Sequence, residues 1–406
     1  MRISTSSIYN ANINLLNQQQ AKLLHTQQQI STQRRILTPA DDPIAAARVL
    51  EISQADASNT QYATNRATVQ HTASLAESVL QSVTSLLQDV RTVMVNAGSG
   101  GLNNSDKQTL ATDLSGRLEE LLTLANSTDG VGNYLFSGFQ GRTQPFVNGM
   151  AGVQYQTDDG QRMIQVGSTR QLAASDSGAD IFMRVKNGNG TFIAQAATAN
   201  TGSGIVSQGT VTNPALLTGN NYQVAFSVVA GVTTYSVNNT TLGAPVAPGT
   251  PIPYVSGQVI NFDGLQFDIT GTPANGDVFT VAPSTNESIF ETISNLITAL
   301  RTPNPLGGTD AATEFTNSNN HALNSLDRGI DKVLTVRSSL GTRLRELDAL
   351  QSAGEDMGVQ FKQTLSKLQD VDFNKAISDL TQQKISLEAA QKSFLAVSGL
   401  SLFDFM

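Results

Sequence analysis

The sequence predicts an α+β fold: a long antiparallel coiled-coil rod of helices from both chain ends, with an inserted β-rich outer domain. Three observations carry this. Near the N-terminus Tyr62, Arg66, Val69, Ala73, Ala76, Leu80, Val83, Leu87, Val90 and Met94 recur at steps of three and four. Near the C-terminus Leu323, Leu326, Ile330, Val333, Arg337, Leu340, Leu344 and Leu347 do the same. Stripes that long must be covered by another helix, and each can cover the other. Between them lies a stretch rich in Gly, Thr, Asn and Val whose apolar period is two, the period of a half-buried strand.

Composition suits this architecture. The 406 residues allow two or three domains. Only 14% are charged and 6% aromatic, with no Trp, which fits thin rods and small β modules better than one thick core. Asp and Glu outnumber Lys and Arg 33 to 25, a net charge of −8, so nucleic acid is not an expected partner. There is no Cys for disulfides or thiolate metal sites. No run of 18 apolar residues is present, so no membrane insertion is expected. Met1-Arg2-Ile3-Ser4-Thr5 leads into Asn- and Gln-rich sequence without the apolar segment of a signal peptide. Passage out of the cell would then require a dedicated export machine.

Along the chain, Ile13, Leu16, Leu23, Ile30 and Leu37 form a weaker heptad with Gln20, Gln27 and Arg34 in the slots between. Half-polar cores make poor isolated helices, so residues 1–37 are expected to be largely disordered in the monomer and to fold when partners cover them. Pro39 is expected to stop this helix, and Asp42-Pro43 to cap the next, which runs to about Ala97 over roughly 80 Å. Ser105 is expected to open a capping box for the helix striped by Leu110, Leu114, Leu121 and Leu124. In the β region Tyr222, Val224, Phe226 and Val228 alternate with smaller or polar residues, and Asp263-Gly264 reads as a two-residue hairpin turn. Asn-Gly pairs at 148–149, 187–188 and 275–276 mark further turns. Ser284-Thr285-Asn286-Glu287 reads as another capping box, before a helix with Ile289, Ile293, Leu296 and Leu300 on its apolar face. Gly354 and Gly358 are expected to interrupt the final heptad, which resumes as Phe373, Ile377, Leu380, Leu387 and Phe394 before an apolar tail containing Leu402 and Phe403.

Residues that could carry chemistry are isolated. His25, His71 and His321 lack an acidic or His neighbour at the next helical turn and are expected to be solvated. Asp41-Asp42 is explained by capping and Asp158-Asp159 by a turn before Gly160. Gly98-Ser99-Gly100-Gly101 has neither a preceding strand nor a following Lys, which argues against a phosphate loop. No catalysis, metal or cofactor is expected.

The terminal segments resemble a known family. Ser31-Thr32-Gln33-Arg34-Arg35-Ile36-Leu37-Thr38-Pro39-Ala40-Asp41-Asp42-Pro43 is similar to the N-terminal block of the bacterial flagellin superfamily. Met1-Arg2-Ile3-Ser4-Thr5, the run from Leu121 through Asn126 to Tyr134, Phe136 and Gly138, Asp370-Val371-Asp372-Phe373, and Leu400-Ser401-Leu402-Phe403 resemble the hook–filament junction members of that superfamily. Pro43 and the tail from Leu400 to Met406 favour those members over flagellin itself. The resemblance implies a non-catalytic subunit exported unfolded through the flagellar channel, held by an export chaperone on the way. Its implied partners are the first hook-associated protein, flagellin and neighbouring copies of itself. The expected organisation is a terminal assembly domain of 1–42 with 366–406, a helical rod of 43–138 with 284–365, and a β domain of 139–283, in one or two lobes. The expected assembly residues are Ile13, Leu16, Leu23, Ile30, Leu37, Phe373, Ile377, Leu380, Leu387, Phe394, Leu402 and Phe403. The family motif comprises Arg35, Asp41, Asp42, Pro43, Asn126, Tyr134, Phe136 and Gly138.

Overall fold

The computed structural model describes residues 5–98, 102–150, 152–246, 249–302 and 309–403. The chain forms two compact units, one from residues 1–65 with 349–406 and one from residues 66–348. The helices are α1 (Thr5–Thr32), α2 (Pro43–Ala97), α3 (Asn104–Ala125), α4 (Ile289–Arg301), α5 (Thr309–Gln369) and α6 (Phe373–Phe403).

In the first unit α1 and α6 pack antiparallel. The Tyr9 and Phe394 rings meet at 5.3 Å near one end, and Arg34 bridges to Asp370 at the other. Thus α1 is a helix in the single chain, where disorder was expected, because α6 covers part of the apolar stripe that residues 1–37 cannot cover alone. The helix also stops at Thr32, ahead of Pro39. Gln33 adopts φ +60°, Arg35 N–H donates to Gln369 O (2.6 Å) and Val371 N–H donates to Gln33 O (3.1 Å). These bonds take up main-chain groups that another helical turn would use, and they put Leu37 in the connecting loop, off the helix. Asp42 caps α2 as expected, its Oδ1 accepting from Ala45 N–H (3.0 Å) with Pro43 in the first turn.

The expected break at Gly354 and Gly358 does not occur, since α5 continues to Gln369. These glycines let α2 approach instead. Asn59 Nδ2 donates to Gly354 O (2.7 Å), and a Cβ on Gly358 would lie 3.4 Å from the same amide nitrogen. The chain turns at Asp370-Val371-Asp372, where Asp372 Oδ1 accepts from Lys375 N–H (3.2 Å) at the start of α6.

In the second unit α2 and α5 run antiparallel, tied by Gln70–Asp348 (2.9 Å), Glu77–Arg337 (2.8 Å) and Arg91–Asp327 (2.7 Å). Leu80, Val83, Leu87, Val90 and Met94 pack in one buried core with Leu326, Val333 and Leu340, as the two stripes require. Two cations occupy seam positions. Arg66 is buried with Nη1 donating to Val166 O (3.0 Å), and Arg337 binds Glu77. α3 packs on α4. The cap of α3 is Asn103, not Ser105: its Oδ1 accepts from Asp106 N–H (2.9 Å) and Asp106 accepts from Asn103 N–H (3.2 Å). Likewise Ser288 caps α4, because Asn286–Glu287 is drawn into a strand against Val185–Lys186.

The strands are β1 (Phe146–Gly149), β2 (Gly152–Tyr155), β3 (Met163–Gln165), β4 (Gln171–Ala173), β5 (Val185–Lys186), β6 (Phe192–Ala196), β7 (Ile205–Val206) and β8 (Thr210–Val211). They continue with β9 (Tyr222–Val229), β10 (Val232–Asn239), β11 (Ala244–Pro245), β12 (Ile252–Pro253), β13 (Val259–Phe262), β14 (Leu265–Thr270), β15 (Val278–Pro283) and β16 (Asn286–Glu287). Early strands belong to the helical core: Phe146 meets Phe182 edge-to-face (5.4 Å) and Phe290 at a tilt (5.3 Å), and Phe182 meets Phe136 edge-to-face (5.6 Å). Asn148-Gly149 is not the turn itself, since Asn148 pairs with Val153 and the connection lies beyond Gly149.

The later strands have a core of their own, with Tyr222, Val224, Phe226, Ile260, Phe267, Ile269, Phe279 and Val281 buried together. One sheet has the order β11-β10-β9-β15-β6, and another β13-β14-β7. β13 and β14 form the expected hairpin, with Phe262 opposite Leu265 and positive φ at Asp263 (47°) and Gly264 (77°). Both signs match a type I′ turn.

Candidate assembly interface

The two units differ in burial. Among the described residues, the buried apolar side chains of the first unit are Ala45 and Ala376; every larger one belongs to the second unit. Burying a Leu or Ile side chain stabilises by about 1.5–3 kcal/mol, and helices rarely persist without such burial. The first unit is therefore a helical element without a core of its own.

Its expected assembly residues fall into three groups. Ile13, Leu16, Leu23, Ile30, Leu380, Leu387 and Phe394 are half-buried, and so is Leu37 in the loop after α1. Phe373 and Ile377 are 45% and 53% exposed. Leu402 and Phe403 have side chains outside those described. Exposed residues that the heptad reading missed include Leu15, Leu24 and Ile385, each about half or more open, together with Ile44 on α2. The signal was present as apolar residues adjacent to the seam positions, which widen the stripe beyond what one partner helix covers.

The motif residues build the turn that joins α1 to α2 and the root of the β region. Arg35 Nη2 donates to Leu368 O (2.9 Å) and lies 3.5 Å from Asp42. Asp41 Oδ2 accepts from Thr38 N–H (2.8 Å) and Leu37 N–H (2.9 Å), and its Oδ1 meets His25 Nε2 at 3.0 Å. The Thr38 bond, with those to Leu37 and His25, holds the Asp41 carboxyl below the usual aspartate range against the opposing effect of desolvation.

His25 is thus not the isolated solvated residue expected. His321 also has a neighbour, with Nε2 3.8 Å from Glu287 Oε2. Both carboxylates come from other elements, which sequence spacing cannot show.

Asn126 clamps the Phe146 backbone with both ends of its amide, at 2.9 and 3.0 Å. Tyr134 bridges to Thr128, and Phe136 is fully buried. Gly138 has φ +64°, and a Cβ there would lie 2.3 Å from Asp158 O, so only glycine fits. Asp158 accepts from the N–H groups of Phe139, Gln140 and Gly160, while Asp159 pairs with Arg184. Both are structural links, as the turn reading expected.

A coreless helical unit drawn from both chain ends, in a chain whose other unit is well packed, defines a structural subunit of a larger assembly. Residues 3–141 match the bacterial flagellin N-terminal helical region, and residues 195–283 match the D2-like domain of flagellar hook-associated protein 1. Flagellar hook-associated protein 3 of Salmonella typhimurium is 31% identical over 407 residues, covering 100% of this chain and 99% of the relative. A crystal structure of hook-associated protein 3 from Legionella pneumophila superposes with TM-score 0.75 at 33% identity, covering 79% of this chain and 98% of that one. A structure described as the flagellar junction protein of the same organism gives TM-score 0.72 at 31% identity, covering 80% of this chain and 100% of that one.

The chain belongs to the flagellar hook-associated protein 3 family, structural proteins of the bacterial flagellum and not enzymes.

Proposed function

We propose that this chain joins the hook to the filament, standing between the first hook-associated protein and the first flagellin subunits beside further copies of itself. The observation that carries this reading is the missing core of the first unit. Its exposed Leu15, Leu24, Phe373, Ile377 and Ile385 gain burial when helices of neighbouring subunits cover them. The half-buried Leu16, Leu23, Ile30, Leu380, Leu387 and Phe394 complete the same contact. The similarity to a protein described as a flagellar junction protein supports the position in the assembly.

The same economy suits export. A helix pair that buries little side-chain surface unfolds at low cost, so the chain travels unfolded through the flagellar export apparatus and folds fully on arrival. An export chaperone holds the amphipathic C-terminal helix in transit, and a chain without Cys forms no disulfides on the way. Among the described residues no helix is long and apolar enough to cross a membrane.

The test is deletion of the gene. Hooks that still form while flagellin collects in the medium as soluble monomer are the expected result. Cells that form hooks but release no flagellin would make this chain the filament subunit and overturn the assignment.

A further inference from the structure

β6 is the last strand of its sheet. Phe226 N–H donates to Asp277 O (2.9 Å), and Ala197 N–H donates to Val278 O (3.0 Å). Along β15 the residues in step with Asp277 therefore serve β9, and those in step with Val278 serve Ile193, Gln195 and Ala197. The alternation of an antiparallel ladder leaves Phe192, Ala194 and Ala196 with main-chain groups directed outward. Phe192 closes its pair on the adjacent turn, donating to Asn189 Oδ1 (2.9 Å) and accepting from Asn189 N–H (3.1 Å). Among the described residues Ala194 and Ala196 have no such cover, and they line a cavity of about 470 Å³.

The facing wall is α5, where Asn317, Asn320 and Asn324 recur at helical spacing and line the same cavity. Asn317 shows what this wall can do. Its Nδ2 donates to Gly204 O (2.9 Å) and its Oδ1 accepts from Val206 N–H (3.1 Å), which closes the edge of β7 that β14 leaves open. A carboxamide is suited to this because it supplies one donor and one acceptor to an extended backbone. Asn320 and Asn324 continue the stripe, half-buried, and their carboxamides have no hydrogen-bond partner among the described residues.

We propose that this groove is a strand-addition site, in which an extended, uncharged polypeptide segment pairs with the outer edge of β6. Asn320 and Asn324 hold the opposite edge of that segment as Asn317 holds β7. Glu314 and His321 are the only titratable residues in the lining, so the groove selects neither a cation cluster nor an anion. No Phe, Tyr or Trp lines it, which disfavours a saccharide, and small residues at Ala194, Ala196, Gly202 and Gly204 leave space for a backbone. β6 also carries none of the Lys, Pro or bulge devices that blunt an exposed edge; the α5 wall shelters it instead.

The test uses the full chain labelled with 15N-alanine and the capped peptide acetyl-Thr-Gly-Ser-Gly-Ile-Val-Ser-amide. That is the sequence of residues 201–207, which includes the backbone already held by Asn317. Saturable shifts of the Ala194 and Ala196 amides are expected, with slower hydrogen exchange at both. The N320A/N324A double variant should weaken binding about tenfold. A peptide N-methylated along the pairing edge, with the same side chains, should not bind. Absence of shifts up to about 5 mM peptide, or equal binding by the N-methylated peptide, overturns the proposal. Maltotriose shifting these amides where the peptide does not would make the groove a saccharide site instead.

Discussion

Ile385 lies on α6 with 62% of its surface open, in the unit that lacks a core. Replacing it with Asp removes little that the single chain has buried. In the assembly the effect is large. Complete burial of an isoleucine is worth about 1.5–3 kcal/mol, so with most of the side chain still open about 1–2 kcal/mol remains to be gained on packing. Asp forfeits that gain and adds a carboxylate whose desolvation costs several kcal/mol. At about 1.4 kcal/mol per factor of ten, the contact weakens by roughly a thousandfold or more.

I385D should therefore fail to restore filaments and swimming in cells lacking the gene, while the purified variant melts with the unaltered chain by circular dichroism. Leu387 is the contrast. It is half-buried in the single chain, on the helix that packs against α1, so L387D should lower helical stability as well as block assembly. Normal filaments with I385D, or a melting shift as large as that of L387D, would refute the reasoning.

Leu340 is 1% exposed in the α2–α5 core, and L340A should destabilise the second unit by about 2–5 kcal/mol, measured by denaturant unfolding. G264A places a Cβ 2.2 Å from Asn213 O at φ +77°, and should cost more than about 1 kcal/mol of thermal stability in the β13–β14 region. Asp158 is held below the usual aspartate range, chiefly by the Phe139 N–H with those of Gly160 and Gln140. Its contribution is present above the ordinary aspartate pKa and is lost as pH falls through the lowered value. Amide exchange at Phe139, Gln140 and Gly160 should accelerate over that acid range, and D158A should already exchange fast at neutral pH.

Much of the helical framework was legible because periodicity and capping are local. The start of α2 at Pro43 follows from Asp42-Pro43, its end near Ala97 from the glycines that follow, and the α2–α5 core from two long stripes that each need cover. The β13–β14 hairpin was legible from Asp263-Gly264, since few residue pairs accept two positive φ angles. The misreadings share one cause. Pro39, Gly354 and Gly358 are strong local punctuation, yet α1 stops at Thr32 because Arg35 bonds to Gln369 at the end of α5 and Gln33 to Val371 just beyond it. α5 continues through its glycines because α2 packs close to them.

The candidate interface was half legible for the same reason. Heptad arithmetic located the apolar stripes of α1 and α6 but could not say which part each helix covers for the other. Leu15, Leu24 and Ile385 stay open while Leu16, Leu23 and Leu387 are partly covered, although each sits within two residues of a seam position. The carboxylates beside His25 and His321 were invisible because they arrive from other elements. By itself the sequence determined the α+β class, the helical character of both chain termini, the β insert and the family, since these rest on period, composition and contiguous motifs. Only the tertiary structure decided where helices end, which apolar faces remain uncovered, and that the β6 edge faces an asparagine-lined wall. Those features depend on pairings between residues far apart in the chain, where long-range hydrogen bonds and packing outweigh local propensity.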